Sequence, residues 1–181
     1  VANQNPKAWI FSGLNMSPIL KPVFPGSPIT EMGWFQGAVL PGGLEVWFLP
    51  SRHWSRRGLN DTNERLWGGF IIRSSTKTVY FMGDSGYDTH FQEIGTLFPD
   101  IDVAIMGIGA YSPEWFMHSS HMNPEDSWKA FTDLGAKRFF PMHFGTFDLA
   151  DEPMGEPLRR LKKVGVAEQL IGAAVGENLV L

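Results

Sequence analysis

Two short stretches hold the residues best able to do chemistry. Phe140-Pro-Met-His-Phe-Gly-Thr-Phe147 and Phe81-Met-Gly-Asp-Ser-Gly86 each carry an apolar run that delivers one metal-capable side chain, with glycine close behind. A third stretch, Leu44-Glu-Val-Trp-Phe-Leu-Pro-Ser-Arg-His53, also expires on a histidine. A His or Asp at the end of a buried strand, with a tight turn beyond it, is how a sheet presents ligands to a surface cleft. The chain has no cysteine, so thiolate sites and disulfides are excluded. A metal would rest on imidazoles and carboxylates.

Each residue also has a plainer reading. His53 lies among Ser and Arg and suits a solvated turn. Asp84 in Gly-Asp-Ser-Gly suits a turn bonded to its own backbone. His143 suits a core histidine satisfied by a carbonyl. His118 and His121 flank Ser119-Ser120 just before Asn123-Pro124, where a loop is expected rather than a helix that would aim both at one ion. We read His121 as a group that polarises substrate or supports the ligands, His118 as a surface residue, and His90 as solvent-exposed. The aromatics of Tyr111-Ser-Pro-Glu-Trp-Phe-Met117 are core by default, with a pocket wall as the other option. Gly107-Ile-Gly109 lacks the helix that a dinucleotide cradle needs, and no Gly-x-Ser-x-Gly elbow occurs.

The elements that must position these residues can be read from periodicity. Strand-like runs occur at 44–49, 69–73, 78–82, 103–108 and 138–142, with shorter ones near 8–12 and 29–32. Prolines 18, 22, 25 and 28 argue against long elements between Lys7 and Gly37. A helix over 88–97 stops at Pro99. Another is capped by Asn123, takes Pro124 in its first turn, presents Trp128, Phe131 and Leu134, and ends at Gly135. A third covers 156–164. Strands alternating with helices predict an α/β layered domain with at least one mixed sheet.

The length suits one domain with a real core. The net charge of −4 and the lack of a basic run argue against a nucleic-acid partner. No apolar run approaches the roughly 20 residues of a membrane-spanning helix. Val1 carries neither an initiator Met nor a signal-peptide pattern, so a processed or truncated beginning is expected. Of the possible compartments, the cytoplasm or a membrane surface is favoured over secretion.

The order of the motifs is more specific than any one of them. Pro50-x-x-His53-x-Ser55-x-Arg57 is followed by Asp61-x-Asn63-x-x-Leu66-Trp67-Gly68-Gly69-Phe70 and by Gly83-Asp84-Ser85-Gly86-Tyr87. Then come Gly109-Ala-Tyr-x-Pro-x-Trp-Phe-Met117, His121-x-x-Pro-Glu125, His143-x-Gly-Thr-Phe147 and Asp151-Glu152-Pro153. This series resembles one branch of the metallo-β-lactamase superfamily, the N-acyl-phosphatidylethanolamine-hydrolysing phospholipase D group. Its bacterial relatives include ascorbate-phosphate lactonase-like and RomA-type proteins.

That resemblance implies an αββα sandwich of two similar halves with a two-zinc site at one edge. It implies His53 as a ligand of the first zinc, Asp84 as the bridge, His143 as a ligand of the second, and His121 as the catalytic group over the centre. The implied activity is zinc-dependent, phospholipase D-like hydrolysis of a phosphodiester or related ester, the substrate being a small molecule or lipid-like. A sugar-phosphate lactonase and a non-catalytic half-domain are the alternatives. The superfamily signature His-x-His-x-Asp-His does not occur in this sequence. We therefore expect residues 1–181 to form a single partial domain, the C-terminal half of the fold. It should hold metal sparsely, turn over little by itself, and self-associate through its exposed half-domain face. Glu114 stands where many relatives carry Arg, which is expected to reverse a charge near the cleft, and Phe144 where they often carry Trp.

Overall fold

Alternating apolar residues build the framework that carries the site. The computed structural model describes residues 4–165 and 168–172. The chain opens with β1 (Ile10–Gly13), α1 (Ser17–Val23) and β2 (Ile29–Met32), then β3 (Gln36–Val39), β4 (Glu45–Leu49), β5 (Gly69–Arg73) and β6 (Thr78–Phe81). It continues with α2 (His90–Leu97), β7 (Val103–Gly107), α3 (Glu114–Met117), α4 (Pro124–Leu134), β8 (Arg138–Met142) and α5 (Glu156–Lys163).

Strands β3 to β8 form one mixed sheet in chain order, and β1 and β2 form a separate parallel pair. The first three pairings of the large sheet are antiparallel and the last two parallel. β4, β6, β7 and β8 therefore point the same way, and their C-terminal ends share one edge. The α/β fold with a mixed sheet and helices is as expected.

One sheet face is the core. Ile71, Tyr80, Ala104, Met106 and Phe139 are fully buried there, together with Phe91 and Ile94 of α2, Phe131 of α4 and Leu161 of α5. Each large apolar side chain so buried contributes about 1.5–3 kcal/mol, which makes this face the rigid body of the domain. The other face carries Phe48, Phe70, Ile72 and Phe81 in cross-strand register. The β1–β2 pair reaches its β4 end, where Phe48 meets Gly13. Farther along, Ile72 and Phe81 remain 41% and 39% exposed.

Local chemistry explains the element ends. The Asn123 side chain accepts the Asp126 amide at 2.8 Å, and Gly135 closes α4 in the left-handed region at φ 65°. Most predicted strands and helices recur within two residues of their predicted bounds. Three elements were not predicted. α1 forms despite its prolines because Pro18 falls in the first turn, where no amide donor is needed, and the Glu31 carboxylate accepts the Ser17 amide at 2.5 Å. β3 is too poor in apolar residues to be legible and exists by pairing with β4. α3 places Trp115 and Phe116 on the surface, 80% and 64% exposed, so the expectation of a buried aromatic core holds only for Tyr111.

Candidate metal centre

Three of the parallel strand ends carry the predicted residues to one place. β4 leads through Pro50 and buried Ser51 to His53. β6 leads through Met82 to Gly83, whose φ of 68° turns the chain so that Asp84 leaves the sheet edge. β8 leads directly to His143, which sits at φ 60°. A left-handed φ on a non-glycine residue costs roughly 1–2 kcal/mol, and such strain is typical where function fixes the backbone. Gly109, just past β7, packs against that turn so closely that a Cβ there would lie 2.2 Å from the His143 carbonyl oxygen. His121 arrives from the connection between α3 and α4, with its amide bonded to the Met117 carbonyl at 2.9 Å.

The four side chains converge. Ligand atoms of His53, Asp84 and His121 all lie within 4.8 Å of one another. His143 Nε2 is 3.4 Å from Asp84 Oδ1. The His121 ring stands edge-on to His53 at 5.2 Å and stacks on His143 at 5.3 Å. The mutually close triad thus contains His121 rather than His143, and His143 joins it through Asp84.

His53 is prepared for ligation. Its Nδ1 donates to the Trp54 carbonyl at 2.7 Å, which leaves Nε2 as the lone-pair nitrogen. That Nε2 is buried and has no hydrogen-bond partner among the described residues. A buried, unpaired acceptor is costly, and a cation among His and Asp ligands satisfies it. The residues present therefore fit a metal ion. Burial holds the His121 imidazole down to about 4, the neighbouring His143 and His53 push the same way, and Asp84 opposes them. His121 is neutral at neutral pH, with one nitrogen to donate and one to accept.

A cleft of about 590 Å³ opens beside His53 and Asp84. Its lining includes the apolar Phe11, Phe48 and Phe70 and the basic Arg56, Arg57 and Arg65. Arg65 pairs with Asp61, and Ser55 Oγ donates to the Arg65 carbonyl at 2.6 Å, which knits the loop that carries His53. A smaller cavity of about 250 Å³ lies against His143, walled by Phe144, Phe147, Leu149 and Met154.

The remaining sequence candidates fall elsewhere. His118 is exposed on the surface, as expected, with Nδ1 at 3.0 Å from the Glu114 carbonyl. His90 is not solvent-exposed as predicted: it is partly buried against Phe91, with Nε2 3.3 Å from Ser85 Oγ. Its place early in a helix suggested water, whereas the fold lays the 84–89 turn over it. Glu114 turns from the cleft to Arg160 and Asn123, at 3.4 and 3.3 Å, so its charge is spent between helices. Sequence reasoning did not assign a role to Glu152, whose carboxylate accepts the amides of Ala110 at 2.5 Å and Ser112 at 3.0 Å. It also missed Arg65 and Ser85, since a Ser or Arg in a polar loop carries no spacing signal.

The fold agrees with the comparisons. Residues 7–144 match the Beta-lactamase superfamily domain, and the chain belongs to the metallo-β-lactamase superfamily. Within it, the chain falls in the branch containing N-acyl-phosphatidylethanolamine-hydrolyzing phospholipase D 1 of Caenorhabditis elegans. It is 33% identical to that protein over 91% of this chain and 49% of the relative. The outer membrane protein RomA of Klebsiella pneumoniae is 41% identical over 56% of this chain and 75% of its own length. The fold matches Igni18, a metallo hydrolase from the archaeon Ignicoccus hospitalis, with a TM-score of 0.67 and 24% identity, covering 94% of this chain and 67% of that one. The chain spans about half the length of the nematode relative.

Proposed function

We propose that this chain supplies one half of the metal centre of a hydrolase that cleaves a phosphodiester or a related ester. The observation that carries the reading is the convergence of His53, Asp84, His121 and His143 at one sheet edge, with His53 Nε2 buried and unpaired. His53 and His143 would ligate one metal each and Asp84 would lie between them, with zinc favoured by the mixed His and carboxylate set. A divalent metal, when bound, supplies Lewis-acid stabilisation of charge developing on an ester oxygen and a lowered pKa for water. The chain's own residues do the rest. Neutral His121 hydrogen-bonds the scissile group and holds a proton at a ring nitrogen. Arg57 in the cleft lining offsets the charge of a phosphoryl group, and the apolar lining receives an apolar portion of the substrate.

We further infer that residues 1–181 are a partial domain. The half-exposed apolar sheet face at Ile72 and Phe81 suits a second sheet, as in an αββα sandwich. The relatives named for hydrolysis of N-acyl-phosphatidylethanolamine direct the substrate search to lipid-like phosphodiesters. The test is metal content and turnover of the intact protein on a chromogenic phosphodiester, with a sugar-phosphate lactone in the same panel. Asp84→Ala should lose both bound metal and turnover. Retention of both by that variant overturns the reading.

A further inference from the structure

Outside the four converging side chains, a set of polar contacts joins the residues next to two of them. Ser85 follows Asp84 and Arg52 precedes His53, and the two meet. The Arg52 amide donates to Ser85 Oγ at 3.0 Å. Ser85 Oγ donates to the Gly86 carbonyl at 2.7 Å, and His90 Nε2 lies 3.3 Å from the same oxygen. The Gly86 amide returns to the Arg52 carbonyl at 2.8 Å, a single β-bridge between the two loops. Ser85 is fully buried.

Proton accounting fixes the roles. A hydroxyl has one proton and two lone pairs. Its proton goes to the Gly86 carbonyl, so its lone pairs receive the Arg52 amide and a proton on His90 Nε2. His90 is then the neutral Nε2–H tautomer, in keeping with burial holding its imidazole down to about 4.

We propose that Ser85 is a positioning residue of the metal centre: its hydroxyl, oriented by His90, sets the separation between the His53 and Asp84 loops. This rests on the reading that His53 and Asp84 hold metal. The physical case is that a ligand-bearing loop keeps its place through the contacts made by the ligand's neighbours. Here a buried hydrogen-bond node joins the immediate neighbours of two ligands, from strands β4 and β6 that are not adjacent in the sheet. Groups that hold ligands from behind typically change metal affinity by 10–100-fold when removed.

The test uses the intact protein and Co²⁺ as the probe, with affinity measured by competition and geometry by the visible absorption of bound Co²⁺. Ser85→Ala should weaken Co²⁺ binding by about tenfold or more and alter the absorption band. Ser85→Thr keeps the hydroxyl and should restore both. His90→Ala should weaken binding, and His90→Gln, which retains an N–H donor, should recover part of it. Thermal unfolding of the metal-free variants separates simple destabilisation from loss of positioning. Wild-type affinity and spectrum in Ser85→Ala overturn the proposal while leaving the metal reading intact. So does a loss that Ser85→Thr does not rescue. Failure of the wild type to bind Co²⁺ overturns the metal reading and this proposal with it.

Discussion

Replacing His143 separates what its side chain does from what its backbone costs. The residue sits at φ 60°, a region in which a Cβ crowds the following carbonyl for roughly 1–2 kcal/mol. Its side chain is 35% exposed and stacks on His121, and both truncations remove those contacts alike. His143→Ala loses the imidazole and keeps the strain. His143→Gly loses the imidazole and relieves the strain, offset by about 0.5–1 kcal/mol of extra backbone entropy in the unfolded chain. The metal-free glycine variant should therefore be the more stable of the two by roughly 0.5–1 kcal/mol. With a urea m-value of about 2 kcal/mol/M, that is a midpoint difference of about 0.3–0.5 M at unchanged slope. Both variants should lose metal affinity alike. An alanine variant as stable as the glycine one would refute the argument, because the backbone would then not be held left-handed against its preference.

Three other outcomes follow from the same structure. Tyr80 is fully buried and its hydroxyl has no partner among the described residues, so Tyr80→Phe should be neutral or stabilising by about 1 kcal/mol in urea denaturation, against the usual direction for a core change. Gly109→Ala would drive a Cβ into the His143 carbonyl, so it should cost about 2–4 kcal/mol and weaken Co²⁺ binding, checked by denaturation and titration. The His90 imidazole is lowered from 6.5 to about 4 by burial, so the unfolded chain takes up its proton first as the pH falls. Stability should be full above pH 6.5 and decline toward about 4; the lowered His121 contributes in the same window, and His90→Gln should flatten part of that slope.

Legibility followed from the range of the interaction that made each feature. The Asn123 cap, Pro124 and Gly135 act within one turn of a helix, so local chemistry alone bounded α4. The apolar runs before His53, Asp84 and His143 marked buried strands because a sheet covered by helices demands them, and the order of motifs marked the family. What the sequence could not reveal depends on contacts between residues far apart in the chain. The histidine at position 90 looked like a surface residue until Ser85 and Phe91 were laid on it. Glu114 looked like a cleft charge until α5 brought Arg160 to it. The β3 strand and the α1 helix exist through pairing with β4 and through the Glu31 carboxylate, partners that no local pattern announces. The four metal-capable residues were legible one by one; only the parallel run of β4, β6 and β8, with the α3–α4 connection laid across their ends, brought His53, Asp84 and His121 within 4.8 Å of one another and set His143 against Asp84.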